Sequence, residues 1–526
     1  MSSQQVNVGD LIFSDLDENT FLQQLYANLL HNYGLHRFQL KNRDPYDVDI
    51  QAALRFADLL SKSTHPTKRD RHRIWGQEIA LLCHILYPQS PYTKTYVPAI
   101  FTTLGNYPGL RQLGATSDAG ILASAFEMYQ SEYLSVPGVP GMKFFAPQKK
   151  IYDQLTSGDF SFSAPTSLGK SFIMRTFITS HVKAESRANF AIIVPTKALI
   201  NETRSKLIGE LEGELERRNY RIVSAAGDIV LEGQHNFIFV LTPERLLYLM
   251  ISKPDLRFDY VFFDESHKLS GKNSRAPFYY QAVTLLQQHQ NPPRIVFASP
   301  NIPNPEVFLR LVSSEAESHH GKAIATRYSP VAQFKYLVDM DENAILTYND
   351  YSREFTHLAS ITQDLTQADL TQLLTHLTPT DEGNVAQTIV FHSGRQRAVN
   401  AAEEYAKLLP LLNDPDLDAL AKDVERDVHE DYYLCGLLRK GIAYPIGYLP
   451  PAIRERIEDL FRTGKITTLF CTSTLLEGVN LPADNLIITT NKIGRPNMSP
   501  VDFKNLIGRV GRIEYNLYCN VFIITG

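Results

Sequence analysis

The sequence predicts an α/β architecture: two consecutive domains built on parallel sheets covered by helices, preceded by an α-helical N-terminal domain. Three observations predict it. Short runs apolar on both faces, FAIIVPT, FIFVLTPE, DYVFFDES and RIVFASP, alternate with amphipathic helices, as strands buried between helix layers require. The alternation resumes later with TIVFHSG, TTLFCTS, NLIITTN and NVFIITG. Nearer the N-terminus, FLQQLYANLL, VDIQAALRFADLLSK and RIWGQEIALLCHIL instead carry apolar residues at three- and four-residue spacing, the mark of helices with one buried face.

In chain order, residues 1–134 read as the helical domain, and SVPGVPGMK (135–143), with two Pro-Gly pairs, as a linker. Residues 144–327 form the first sheet domain, YSPVAQ (328–333) a second linker, and 334–526 the second sheet domain. The acidic helical stretch from AVNAAEEYAKLL through DALAKDVERDVHEDYY reads as solvated surface.

The 526 residues, 44% hydrophobic and 21% charged, suit a soluble globular protein of two to four domains. The N-terminus, MSSQQVNVGDLIF, has no basic stretch leading into an apolar one, so no signal peptide is read. No apolar run approaches the ~20 residues a membrane helix needs, so no membrane partner is expected. Cys83, Cys435, Cys471 and Cys519 are scattered without a CxxC pair, which supports neither a disulfide framework nor a zinc site. The location expected is cytoplasmic. A net charge of −5 means that nucleic-acid binding, if present, comes from a local groove rather than from bulk charge.

APTSLGKS (164–171) lies between the strand-like DFSFS and the helix-like FIMRTFITSHVK. A strand, a turn ending Gly-Lys-Ser and a helix make a phosphate-binding loop, because backbone amides and the helix dipole both face the anion. Thr166, Ser167, Leu168 and Gly169 are the cofactor-binding candidates of the turn. Lys170 would reach the β- and γ-phosphates of a nucleotide, and the Ser171 hydroxyl would ligate Mg²⁺. The first loop position, usually Gly, is Ala164. Downstream, DYVFFDESHK delivers Asp264 and Glu265 to the carboxyl end of a strand, where doubly wound sheets place ligands. One carboxylate holds Mg²⁺ and the other orients and deprotonates the attacking water.

These motifs, with others in order, resemble the superfamily 2 helicases, most closely the Ski2-like DExH branch. Gln148 in FFAPQKKIYDQL matches the upstream glutamine that reads adenine, and APTSLGKS matches motif I, where Ala is the usual first residue. PTKALINE (195–202), LTPERLL (241–247), DESH (264–267) and ASPNIPNP (298–305) match motifs Ia, Ib, II and III. FHSGRQR (391–397), CTSTLLEGVNLPA (471–483) and NLIGRVGR (505–512) match motifs IV, V and VI. The resemblance implies two tandem RecA-like domains with ATP in the cleft between them. The first would supply Lys170, Ser171, Asp264 and Glu265 and the second Arg509 and Arg512, arginines that stabilise charge on the transferring phosphoryl group. Gly478 would lie near the ribose and γ-phosphate. Single-stranded nucleic acid, DNA favoured slightly over RNA, would cross Thr196, Lys197, Thr242 and Arg245 of the first domain and Ser393, Arg395 and Thr472 of the second.

The sequence departs from the family at several points. Motif III has Ser299-Pro300-Asn301 where Ser-Ala-Thr is usual, and Pro300 removes a backbone donor. Motif VI opens on Asn505 instead of Gln, and Tyr444 and Pro445 stand where a paired His is usual. Only NKIGRPNMSPVDFK separates NLIITT from motif VI, little room for a strand-separating hairpin. NVFIITG resembles the last strand of the second RecA-like domain, after which Ski2-like proteins normally continue into winged-helix and ratchet domains; the chain reads either as a fragment or as a motor whose remainder is a separate polypeptide.

Two functions follow. One is an ATP-dependent helicase or translocase on single-stranded nucleic acid. The other is a nucleic-acid-sensing ATPase clamp that controls an effector such as a nuclease. Its Ser-Leu before Gly-Lys and its added helical domain resemble bacterial anti-phage helicases of the Hachiman type. A small-molecule kinase would explain the loop but not motifs V and VI.

Overall fold

The computed structural model describes residues 12–114, 121–225, 235–269, 275–313, 321–361, 370–377, 386–444, 449–472, 481, 483–494, 496–508, 510–511 and 516–526. The chain forms two compact units, one of residues 122–329 and the other of 1–121 together with 330–526.

The 122–329 unit is built on seven strands: β1 (Phe160–Ser163), β2 (Phe190–Ile193), β3 (Tyr220–Val223), β4 (Asn236–Leu241), β5 (Tyr260–Phe263), β6 (Arg294–Ser299) and β7 (Ala323–Ala325). Their order is β3-β4-β2-β5-β6-β1-β7, and every pairing is parallel. All four residues of β1 and of β2 are buried, as runs covered on both faces must be. On one face, Phe239, Phe263 and Phe297 pack with Leu246 and Leu249 of helix Pro243–Ser252 and with Tyr279 and Val283 of helix Ala276–Gln287. On the other, Phe177 of helix Lys170–Lys183 meets Tyr260 and Phe262 edge-on, at 5.0 and 5.8 Å between ring centres. The parallel-sheet class expected from the sequence is the one observed.

The second unit holds β8 (Ala332–Asp339), β9 (Ala344–Asn349), β10 (Glu354–Ser360), β11 (Thr388–Phe391), β12 (Ile442–Ala443), β13 (Thr468–Cys471), β14 (Asn485–Ile488) and β15 (Tyr518–Thr525). The order is β10-β9-β8-β15-β14-β11-β13-β12. Five of these strands match the apolar runs or their neighbours in a parallel core. The other three, β8 to β10, form an antiparallel extension joined to the core through the parallel pair β8–β15. β8 and β9 bury alternate residues and β10 is exposed along its first four, so a search for continuous apolar runs passes over them.

Helices of the N-terminal region pack on this extension. Asn19 starts helix Thr20–Arg37 by accepting from the Leu22 amide at 2.9 Å, and Asp49 caps helix Ile50–Ser61 in the same way through Ala52. The first helix lays Tyr33 on Phe334, and the residue that follows it, Phe38, packs edge-on against Tyr336 and Phe522. Its polar residues enter the sheet as well. Tyr33 donates to Asn520 Oδ1 at 2.9 Å, Arg37 donates to Asn485 Oδ1 at 3.0 Å and to the Leu377 carbonyl, and Asn520 donates to Asn485 Oδ1 at 3.3 Å. Nearby, the Tyr26 hydroxyl donates to Glu78 Oε2 at 2.6 Å, and burial together with Asp350 pushes the Glu78 carboxyl up to about 7.

Trp75, the single tryptophan of the sequence, is fully buried in helix Arg69–Leu86 and stacks on Tyr351, with ring centres 4.4 Å apart and planes 10° from parallel. Its fluorescence therefore reports on the seam between these helices and the antiparallel strands. Trp75→Ala should destabilise the unit by about 3–5 kcal/mol. Urea unfolding of that variant, followed by circular dichroism, checks this; an unchanged midpoint would refute it.

Candidate nucleotide site and nucleic-acid edge

The phosphate loop begins where β1 ends. Ala164 is fully buried, and its amide donates to the Ser299 carbonyl at 3.1 Å, so the methyl in place of a glycine hydrogen has a place in the core. Thr166–Leu168 make one 3₁₀ turn, and Gly169 follows at φ 78°. Only glycine holds that angle without strain, and a Cβ there would lie 3.2 Å from Gln148 Nε2. Helix Lys170–Lys183 then starts, its first residue buried with Nζ 3.4 Å from the Ala164 carbonyl. Gln148 is wedged against this loop. It donates to the Leu168 carbonyl at 2.6 Å and accepts from the Phe145 amide at 2.9 Å.

Asp264 and Glu265 follow β5, which is separated from β1 only by β6. Asp264 Oδ2 accepts from the Ser171 hydroxyl at 3.0 Å and Oδ1 from the Glu265 amide at 2.9 Å. Burial, then the Glu265 charge, pushes the Asp264 carboxyl up to about 6, against the pull of Lys170 and of the Ser171 hydrogen bond. Glu265 stands at φ 53°, a left-handed conformation that costs a non-glycine residue roughly 1–3 kcal/mol. His267 Nδ1 lies 3.2 Å from its Oε2. The Ser171–Asp264 pair suits Mg²⁺, which binds through a few protein oxygens and keeps its waters; a buried carboxylate with its charge only partly offset favours such a cation.

Motif III is tied to the same strand. Ser299 Oγ donates to the Phe162 carbonyl at 3.4 Å, and Ser163 Oγ accepts from the Ile302 amide at 2.7 Å. Between them, Asn301 takes φ 50°, which Asn tolerates better than most residues.

β2 and β4 are neighbours, so the loops after them share one edge of the sheet. Thr196 and Thr242 each cap the following helix, accepting from the Leu199 amide at 3.3 Å and the Arg245 amide at 3.4 Å. Lys197 is exposed, and Arg245 is partly buried with its guanidinium on the Ser224 carbonyl at 2.6 Å. In the other unit, adjacent strands β11 and β13 bring Ser393, exposed Arg395 and Thr472 to one edge. His392 beside them is 7% exposed and lies 2.9 Å from the Thr489 hydroxyl; burial holds its imidazole down at about 4, hence neutral. Gly478, Arg509, Arg512 and Pro445 lie outside the described residues. Tyr444 is buried against Tyr433, and Asn505 stands on helix Pro500–Ile507.

Residues 145–307 match the DEAD/DEAH box helicase family, and residues 366–514 match the helicase conserved C-terminal domain. The chain carries both helicase domains of superfamily 2, and the relatives it resembles are Ski2-like members. It is 26% identical over 398 residues to Anti-bacteriophage protein B of Escherichia coli, a match covering 75% of this chain and 49% of the relative. It is 24% identical over 402 residues to ATP-dependent DNA helicase Hel308 of Thermoplasma volcanium, covering 74% and 54%. Pre-mRNA-splicing factor brr2 of Schizosaccharomyces pombe is 26% identical over 405 residues, covering 69% and 17%. The chain thus spans about half or less of the length of these curated relatives.

The fold brings Ser171 of the loop and Asp264 within hydrogen-bonding distance. Arg275 went unnoticed in the sequence. Its Nη1 donates to the Pro195 carbonyl at 2.5 Å, and its Nε lies 3.3 Å from Glu244 Oε1. No local pattern marks it, because its partners come from a loop and from the first turn of a helix, both distant in the chain.

Proposed function

We propose that this helicase is an ATP-driven motor that hydrolyses ATP while moving on single-stranded nucleic acid. The observation that carries the reading is the 3.0 Å contact between Ser171 of the phosphate loop and Asp264 of DESH, with buried Lys170 alongside. Lys170 holds the β- and γ-phosphates and Gly169 lets the backbone approach them. Glu265 orients the attacking water and takes its proton. A bound Mg²⁺, held by Ser171 and Asp264, would neutralise charge on the phosphate oxygens. Arg509 and Arg512 are the arginines this reading assigns to the transferring phosphoryl group. Thr196, Lys197, Thr242, Arg245, Ser393, Arg395 and Thr472 are assigned to the polymer backbone.

A second reading, a nucleic-acid-sensing clamp that controls an effector such as a nuclease, is favoured by the likeness to Anti-bacteriophage protein B. The name of Hel308 favours DNA as the polymer.

Steady-state ATP turnover should rise at least about tenfold with single-stranded DNA, a shift of about 1.4 kcal/mol. The measurement compares single-stranded DNA, single-stranded RNA and overhang duplexes, with Glu265→Gln as blank. Turnover that ignored every polymer would refute the motor. Stimulation without strand displacement would favour the clamp.

A further inference from the structure

We infer that Arg275 is a positioning residue for the polymer track, locking together the two loops that carry its first-domain contacts. The inference rests on the proposed motor reading and goes beyond it, since Arg275 belongs to none of the motifs assigned to nucleic acid.

Three segments meet at this guanidinium. Arg275 stands at the start of helix Ala276–Gln287, downstream of DESH. Pro195 immediately precedes Thr196 and Lys197, and Glu244 lies between Thr242 and Arg245. One end of the guanidinium holds the Pro195 carbonyl at 2.5 Å, while Nε faces Glu244 at 3.3 Å. The fork of an arginine suits this double duty; the ammonium of a lysine is a single point charge and does not. Both helix starts are thereby held in register from the segment that follows the catalytic carboxylates.

The contact also acts through charge. Glu244 is acidic in the first turn of helix Pro243–Ser252, the turn whose amides would face a phosphate. An unpaired carboxylate there repels a polyanion. The Arg275 side chain is 48% exposed and that of Glu244 34%, so the pair contributes little to stability. Its effect belongs to binding, through geometry and through masking of the carboxylate.

The test measures ATP turnover against single-stranded polymer concentration in the full chain. Arg275→Ala should raise the half-maximal polymer concentration about tenfold, or about 1.4 kcal/mol, with the rise in that concentration and not in the plateau. Arg275→Lys should raise it less, about threefold, because the charge remains but the fork is lost. Adding Glu244→Gln to Arg275→Ala should recover part of the loss, since the unmasked carboxylate is gone; a merely structural role predicts no recovery. Thermal melting of each variant checks folding, and if Arg275→Ala does not fold, Arg275→Lys carries the test. A half-maximal concentration unchanged in both single variants would overturn the inference, as would a double variant no better than Arg275→Ala. Wild-type turnover indifferent to every polymer would overturn the motor reading and this inference with it. Wild-type stimulation beside an unaffected Arg275→Ala would overturn the inference alone.

Discussion

Glu265→Gln should bind ATP at least as tightly as the wild type and hydrolyse it roughly 10²–10⁴-fold more slowly, the usual range for loss of a general base. Glutamine keeps the length and shape of the side chain and meets the same φ of 53°, but it has no carboxylate to accept the proton of water. It also removes the neighbouring charge that helps to push Asp264 up to about 6. Asp264 should then ionise at lower pH, leaving the Ser171–Asp264 pair more receptive to a cation. The sign of the stability effect follows. In the wild type Asp264 holds its proton more tightly when folded, so its contribution is largest below about pH 4 and declines as pH rises towards 6. Glu265→Gln should narrow that window. Single-turnover hydrolysis, binding of a fluorescent ATP analogue and melting between pH 4 and 7 together test this. Near-normal hydrolysis would place the base elsewhere, and lost ATP binding would make Glu265 a structural residue.

Lys170→Ala should abolish turnover by a different route, with a loss of roughly 10³-fold or more that begins with binding. Lys170 is buried at the first turn of its helix, and its cation lowers the cost of the Asp264 charge. Without it, the phosphates lose their cation and Asp264 is driven further towards its protonated form, so the metal pair weakens too. The two variants are therefore expected to separate in a binding experiment: Glu265→Gln retains the nucleotide analogue and Lys170→Ala does not. Wild-type turnover in Lys170→Ala would remove the phosphate loop from the mechanism.

The parts of the site legible in sequence are those whose chemistry demands neighbouring residues. Gly169-Lys170-Ser171 and Asp264-Glu265 each sit within one turn after one strand, so their spacing is readable without a fold. The candidate hydroxyls were readable as types but not in their bonds. Thr196 and Thr242 spend acceptor capacity on helix capping, and Arg245 is held by the Ser224 carbonyl. Arg275 was illegible because its meaning depends on Pro195, 80 positions earlier. In the fold, the core parallel strands announced themselves by continuous apolar runs, whereas β8 and β9 bury only every second residue and β10 is exposed along its first four. The seating of the first helix on β14 and β15 has no local signal, being made by side chains 448 and 487 positions apart.

That seating sets an order on synthesis. Tyr33 emerges early, yet its partner Asn520 belongs to the last strand. The 122–329 unit, whose strands are contiguous in the chain, has all of its residues in hand long before then. During the interval, the apolar side chains of the first helix, Tyr33 among them, together with Phe38 just after it, have no sheet to cover. Loops closed over hundreds of residues are slow to form, and exposed apolar faces aggregate while they wait. The second unit is thus the step at which a growing chain is most exposed to misassembly and to chaperones, and its closure waits on β15.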